Sequence, residues 1–414
     1  MNVVVLSIDR LHAGYLGCYG NTWVATPHFN RLAAESFLFD HATTDHPSLE
    51  ELLRSWWLGR HVREHAVFGQ PPTLAQRLAA AGFATCLITD EPRVANHPLS
   101  AQFADLVSIE GAAQRPADRP AQDASETRAA ALFATATERL TEAKPPFFLW
   151  IHSSGMETAW DAPDEFRQLY AEPDEPEPPR VDAVPSRRLG RDEDPDQIWG
   201  ICQAYAGQVS LLDACLGGLL ESLQSEAHAS ETLLAVVGMR GFPLGRNGRI
   251  GSPDEALYTE LVHIPWLMRL PAAAGAAARS QALVQPCDLA PTLAAALEIA
   301  GAGAETYARN LLPIIREEVD AVRGCVSLVG REGERAIRTP AWYLRLAEVN
   351  DGGAQATELY AKPDDRWDQN DVADRCPEIA EGLAAALGEL EASIAAQATE
   401  SFPPLSEALV SDLR

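Results

Sequence analysis

The feature that most constrains this chain is one kind of apolar run that keeps returning. NVVVLSI (2–8) is a continuous β-branched stretch without alternation, the pattern of a strand buried on both faces. ATCLIT (84–89), PFFLWIH (146–152), TLLAVVG (232–238) and IPWLMRL (264–270) continue the series, and FLFDHA (37–42) adds a shorter strand. Helical segments fall between them. TPHFNRLAAES (26–36) offers Thr26 as N-cap and Pro27 at the first helical position, and PSLEELLRSWW opens on Pro47. TLAQRLAAAGF closes on Gly82, and long helices are predicted over 197–224 and 287–299. This alternation predicts an α/β fold: a doubly wound, mostly parallel sheet flanked by helices.

Two segments interrupt the pattern. Residues 110–128 and 171–196 are rich in proline, alanine or charge and carry no core-forming face, so they read as surface loops. After about residue 316 the pattern changes to short strands (GCVSLVG, RAIRTP, AWYLRLAEV, ATELYA), then a helix over about 377–397. The expected division is therefore a core domain over 1–315 and a small C-terminal subdomain over 316–414, an antiparallel sheet plus a helix, packed on the core.

Charge and cysteine usage narrow the function classes. A formal net charge of −26 argues against nucleic acid, whose binding is built on Lys and Arg contacts to phosphate. Seven scattered cysteines without a C-x-x-C pair fit reduced thiols better than a disulfide frame. No stretch approaches the roughly 18 apolar residues of a membrane span, and MNVVVLSID enters a strand without a basic leader. The expectation is a cytoplasmic protein that engages neither membrane nor nucleic acid.

The stretch VLSIDRLHAGYLGCYGNTWVATPHFNRLAAESFLFDHATT strongly resembles the N-terminus of the sulfatases, in the alkaline-phosphatase-like superfamily. Further resemblances follow in order: AAAGFATCLI, PFFLWIHSSGMETAWDAPDEFRQLY, YAGQVSLLDACLGGLLESL, VHIPWLMRLP, QPCDLAPTLAAALEIAG and TELYAKPDDRWDQNDVADRCPE. The resemblance implies the alkaline-phosphatase-like fold and hydrolysis of a sulfate or phosphate ester. Such chemistry needs a hard divalent cation held by oxygen ligands, with basic side chains around the transferred group. In the family the nucleophile is a cysteine oxidised to formylglycine within C-x-P-S-R.

Carried over position by position, the resemblance implies a changed centre. Of the two adjacent metal-binding acids, Asp9 keeps the first and Arg10 replaces the second. The modified cysteine falls on Asp45, followed by His46, Pro47 and Ser48, and the motif arginine on Leu49. The lysine and histidine of the next motif fall on Asp90 and Pro92, and the substrate-loop histidine on Glu157. The second metal-binding pair falls on Met239 and Arg240, and the late lysine on Tyr343 or its neighbour.

Each position also has a plain structural reading. Asp45 could be a new nucleophile, but Asp45 or His46 capping the helix that opens at Pro47, with Ser48 and Glu51 assisting, is the favoured reading. His46 and His65 could be acid–base groups or ordinary polar and capping residues. The run GMRGFPLGRNGRIG (238–251) fits no P-loop spacing and reads as a strand exit, although Arg240, Arg246 and Arg249 are candidate anion contacts. At least one of Trp56 and Trp57 should be core. The cysteines, Cys18 among them, read as small buried apolar residues.

The leading expectation is a sulfatase-fold protein that does not catalyse and acts by binding a partner protein or a small anionic ligand, with His46, Arg240 and Arg246 as candidate contacts. The alternative is an active sulfate- or phosphate-ester hydrolase built on Asp9, Asp45, His46, Asp90 and Glu157. A third is a structural subunit of an assembly, for example a homo-oligomer. No cofactor is expected; any metal would be calcium or magnesium near Asp9. The loops after strands ending near 8 and 238 should bring Arg10 and Arg240 to the metal position, facing Asp9, Asp45, and also Asp90 and Glu157.

Overall fold

A computed structural model describes residues 1–65, 71–109, 121–225, 229–299, 306–347, 356–398 and 402–411. The chain divides into two compact units, one of residues 1–38, 78–253 and 264–279, the other of 39–77, 254–263 and 280–414. These boundaries are not the 315/316 division, because the second unit begins at 280 in its last stretch and also takes in 39–77 and 254–263. Most of the 110–128 loop lies outside the described residues.

The first unit is organised by a mostly parallel sheet. Its strands are β1 (Asn2–Ile8), β3 (Ala84–Thr89), β4 (Asp105–Ser108), β5 (Phe147–Ser153), β6 (Thr232–Gly238) and β7 (Trp266–Arg269), with the first two residues of β2 (Phe37–Ala42) and the first of β8 (Arg279–Val284), in the order β8-β2-β7-β6-β1-β5-β3-β4. Strands β6, β1, β5, β3 and β4 run parallel, while β7 is antiparallel to both β6 and β2. Every residue of β1, β5 and β6 is buried, as their unbroken apolar runs require of strands covered on both faces. The cover includes α1 (Pro27–Ala34), α4 (Arg128–Glu142) and α5 (Pro195–Ser225), whose buried residues join the strands in one core. Thr26 precedes α1 but does not cap it by side chain. Its hydroxyl instead accepts from the Gly17 N–H at 2.9 Å.

The boundary between the units falls within β2 and at the start of β8. The second unit contains α2 (Leu49–Leu58), most of α3 (Leu74–Ala80) and α6 (Leu289–Ala296). It also holds a four-stranded antiparallel sheet of β9 (Val326–Val329), β10 (Arg335–Arg338), β11 (Trp342–Ala347) and β12 (Ala356–Ala361), in that order. The long helix α7 (Pro377–Ala395) buries Leu383, Leu387, Leu390 and Ile394 in a core shared with Ile337, Trp342 and Leu344. Trp56 and Trp57 are both core residues.

Among the described residues, no helix is long and apolar enough to cross a membrane.

Candidate functional site

Four neighbouring parallel strands of the first unit end at one sheet edge, and each delivers residues there. Asp9 and Arg10 follow β1, Asp90 follows β3, Ser154–Glu157 follow β5, and Met239 and Arg240 follow β6. Loops beyond the carboxyl ends of parallel strands are the usual ligand position of such sheets. The backbone there is tightly set. The Asp9 N–H donates to the Ser153 carbonyl at 3.0 Å, and the Met239 N–H to the Ile8 carbonyl at 3.0 Å. Arg10 takes a positive φ of 59°, and the Tyr205 hydroxyl holds its carbonyl at 2.6 Å. Gly155 is required beside it, since a Cβ there would stand 2.0 Å from the Asp9 carbonyl oxygen.

At the centre of this edge is a buried carboxylate–guanidinium pair. Arg240 donates through Nε to Asp9 Oδ1 at 3.0 Å and through Nη2 to Oδ2 at 2.9 Å, a bidentate fork. Both side chains are buried. Burial alone would raise the Asp9 carboxyl; the charge and hydrogen bonds of Arg240, with the charge of Arg10, outweigh it and hold the group at about 2. Arg10 points to Glu157 at 2.6 Å and donates to the Ser252 hydroxyl at 2.5 Å. Burial and the neighbouring Arg240 charge lower the Arg10 guanidinium, and Glu157 and Asp9 oppose them. Glu157 also takes Arg93 at 3.0 Å and lies 3.4 Å from Arg240, while Arg93 forks onto Glu91.

The arginines meet Asp9 and Glu157, and the other two expected carboxyls are held by neighbours of their own. Asp90 is buried and accepts from the Ser154 N–H at 2.7 Å and the Ser154 hydroxyl at 2.8 Å. Burial pushes it up to about 6 against those bonds. Asp45 takes its bonds within the second unit. Pro92 begins a single helical turn, Pro92–Ala95, capped by Glu91. Met239 is fully buried, and Arg246 is exposed at the far end of its loop. That loop is the expected strand exit, pinned by Arg249–Ile250 pairing with Arg187–Arg188.

In the second unit the loop before α2 does not form the expected cap. The helix starts at Leu49 rather than Pro47, and Ser48 makes no side-chain capping bond. Asp45 Oδ2 accepts from the Ser55 hydroxyl at 2.7 Å and from the Val62 N–H at 2.8 Å, so its carboxyl is turned into the unit. Its Oδ1 is buried with no hydrogen-bond partner among the described residues. Burial raises the Asp45 carboxyl to about 6, with Ser55, His65 and Val62 pulling the other way. His46 accepts from the Ser48 N–H at 2.9 Å, and burial lowers it to about 4. Leu49 is buried. His65 is an internal link rather than a surface group. Its Nδ1 meets Glu51 at 2.7 Å and its Nε2 the Arg60 carbonyl at 3.1 Å. His46, Ser48, Glu51, Arg54, His65 and Arg331 line a pocket of about 540 Å3. Tyr343 is a core residue of β11 whose hydroxyl donates to the Leu257 carbonyl.

Several participants carried no motif. Ser154 hydrogen-bonds Asp90, Arg93 pairs with Glu157, and Ser55 hydrogen-bonds Asp45. His152, at the end of β5, is buried with Nε2 unpartnered; burial lowers it to about 4, so it stands neutral near Asp9 at neutral pH. The cue available in the sequence was the charged run Asp90-Glu91-Pro92-Arg93 directly after an apolar strand.

The resemblance implies a divalent ion at the Asp9 edge, and the residues present do not fit one. A hard cation needs several oxygen ligands. Both Asp9 oxygens are engaged by one guanidinium, and the described residues contain no group of three His, Cys, Asp or Glu side chains arranged for a metal.

Comparison with known proteins agrees with this architecture. The family model described as Sulfatase matches residues 1–299. Human iduronate 2-sulfatase is 22% identical over 333 residues, covering 66% of this chain and 60% of its own length. Among solved structures, BT4656 in complex with its substrate D-glucosamine-2-N,6-O-disulfate superposes with a TM-score of 0.76 at 16% identity, covering 97% of this chain and 99% of that one. The phosphonate monoester hydrolase of Agrobacterium radiobacter gives a TM-score of 0.75 at 17% identity, over 100% and 99% of the two chains.

Proposed function

The chain belongs to the sulfatase family, and we propose that within it this protein is a non-catalytic member, acting by binding a partner protein or a small ligand rather than by hydrolysis. One observation carries the reading: the Arg240 guanidinium occupies both oxygens of Asp9, the one acid retained from the family's metal set. A guanidinium supplies charge to a carboxylate, but it offers no open coordination position to activate water or polarise an ester oxygen. The other acids expected at the same edge are engaged. Asp90 is bound to Ser154, and Glu157 to Arg10 and Arg93. At position 45 there is no thiol to convert, and the Asp45 carboxyl faces Ser55 and Val62. The alternative, a remodelled hydrolase of sulfate or phosphate esters, needs these carboxyls released from their partners. Seven free cysteines support a reducing, cytoplasmic setting.

The test is a panel of aryl sulfate, phosphate monoester and phosphonate monoester substrates, each with calcium, magnesium or manganese and with chelator. The expected result is no turnover above a heat-treated control, beside an intact mass without modification. Metal-dependent hydrolysis abolished by Asp9→Asn or Asp45→Ala would overturn the proposal.

A further inference from the structure

Among the described residues, six large apolar side chains stand exposed, and two of them, Trp23 and Trp199, stand together in the first unit. Trp23 is 38% exposed and Trp199 40%. Their rings stack with centroids 5.0 Å apart, and Trp23 lies 5.1 Å from the ring of Tyr170. Exposed aromatics gathered in this way mark a surface made to be covered.

The patch is rigidly built. Asn21 Oδ1 accepts from the N–H groups of Trp23 and Val24 at 2.8 and 2.7 Å. The Tyr170 hydroxyl accepts from the Ala25 N–H at 2.9 Å, and Gln203 donates to the Tyr170 carbonyl at 3.2 Å. Trp199 donates its indole N–H to Glu175 at 2.9 Å, which fixes the ring beside an acidic loop.

Charge selects the occupant. Residues 172–177 read EPDEPE, with Glu172, Asp174 and Glu177 exposed. The basic residues nearest in the segment are engaged: Arg167 by Asp164 and Glu177, and Arg180 by Asp164 at 3.0 and 3.1 Å. The rim keeps a negative surplus around an aromatic platform. A neutral sugar ring could stack on the platform and hydrogen-bond the rim but would leave the rim's charge unpaired, and an anionic ligand would be repelled. A guanidinium uses both, stacking on an indole face while its N–H groups meet carboxylates.

We propose that the Trp23–Trp199 patch is a docking surface for a basic, arginine-bearing peptide segment of a partner protein, an assignment independent of whether the chain hydrolyses esters. The side chains that recognise it are Trp199 and Trp23 as the stacking platform and Glu172 and Asp174 as the charged rim. Electrostatic complementarity of this kind sets specificity and association rate.

The experiment measures fluorescence anisotropy of labelled hexa-arginine and hexa-lysine peptides on the intact protein, with labelled cellohexaose as a third probe. Hexa-arginine should bind roughly tenfold more tightly than hexa-lysine, since only arginine stacks well on indole. Trp199→Ala should bring the two peptides level, and Glu172→Gln with Asp174→Asn should weaken both. The same charge loss at exposed Glu378 and Glu381 on α7 should change nothing. Two outcomes overturn the proposal. In one, the peptides bind alike and ignore Trp199→Ala, which leaves only the attraction of an acidic protein. In the other, cellohexaose binds and is lost with Trp199→Ala, which makes the platform a sugar site. Circular dichroism checks folding; if Trp199→Ala does not fold, Trp23→Ala and the Glu172/Asp174 pair decide between the same outcomes.

Discussion

Asp9 and Asp45 are both fully buried carboxyls, and the two units treat them in opposite ways. Asp9 keeps its charge because a guanidinium meets both oxygens, and its carboxyl falls to about 2. Among the described residues, Asp45 has only a hydroxyl and an amide as donors and one oxygen without a partner, and burial raises it to about 6. A buried charge must be paired or bear the cost of its burial; Asp9 shows the first outcome and Asp45 the second, which Asp90 shares within the first unit. The residue type does not decide between these fates. The partner does.

The largest expected effect tests the paired half. Arg240→Met leaves Asp9 buried without its cation and should cost about 3–5 kcal/mol in urea denaturation. Adding Asp9→Asn should recover most of that loss, because the unpaired charge is then gone. A near-neutral single variant would mean that the pair is not the buried unit described.

A smaller effect, read as pH dependence, tests the unpaired half. The Asp45 carboxyl is raised from an unfolded value near 3.8 to about 6. Its contribution to stability is therefore fully present below about pH 4 and lost as the pH rises through about 6. Relative to Asp45→Asn, the wild type should lose on the order of 2–3 kcal/mol between pH 4 and pH 7.5. Parallel stability–pH curves for the two proteins would show that Asp45 is not titrating in a dry site.

Smaller still, Ser55→Ala removes one hydrogen bond to Asp45 and should cost about 1 kcal/mol, with the loss largest above pH 6 where the carboxylate needs the donor. The smallest effect is a predicted zero. Calcium or magnesium at millimolar concentration, or a chelator, should leave the melting temperature of the wild type unchanged. A stoichiometric metal that lifts the melting temperature and is lost with Asp9→Asn would end the comparison, since Asp9 would then be metal-bound rather than arginine-bound.

Much of the fold was legible because burial on both faces leaves a continuous apolar run. NVVVLSI, PFFLWIH and TLLAVVG are three adjacent parallel strands, with β1 between the other two. The run IPWLMRL was legible as a strand but not as an antiparallel one, because a strand's direction leaves no mark on its composition. Position 45 was read as a helix cap because a short acid before Pro47 and a helical pattern is the usual signal. The carboxyl instead turns inward to Ser55, ten residues on, and no local rule anticipates that contact.

The sequence by itself determined the family, the sheet, and which residue types stand at the loop ends where chemistry is expected. It also determined that arginines sit at positions 10 and 240, because identity at a loop position needs no folded partner to be read. Tertiary structure alone decided which carboxyl each arginine meets. Asp9 and Arg240 are 231 residues apart and touch because β1 and β6 are neighbouring parallel strands that end together, in a register pairing Ile8 with Gly238. Asp45 sits in the loop before α2, its carbonyl accepting from the Val329 N–H at the end of β9. Its carboxyl meets a hydroxyl and an amide, and its charge is governed by burial instead. Pairing energy depends on distance and dielectric, and both are properties of the folded chain.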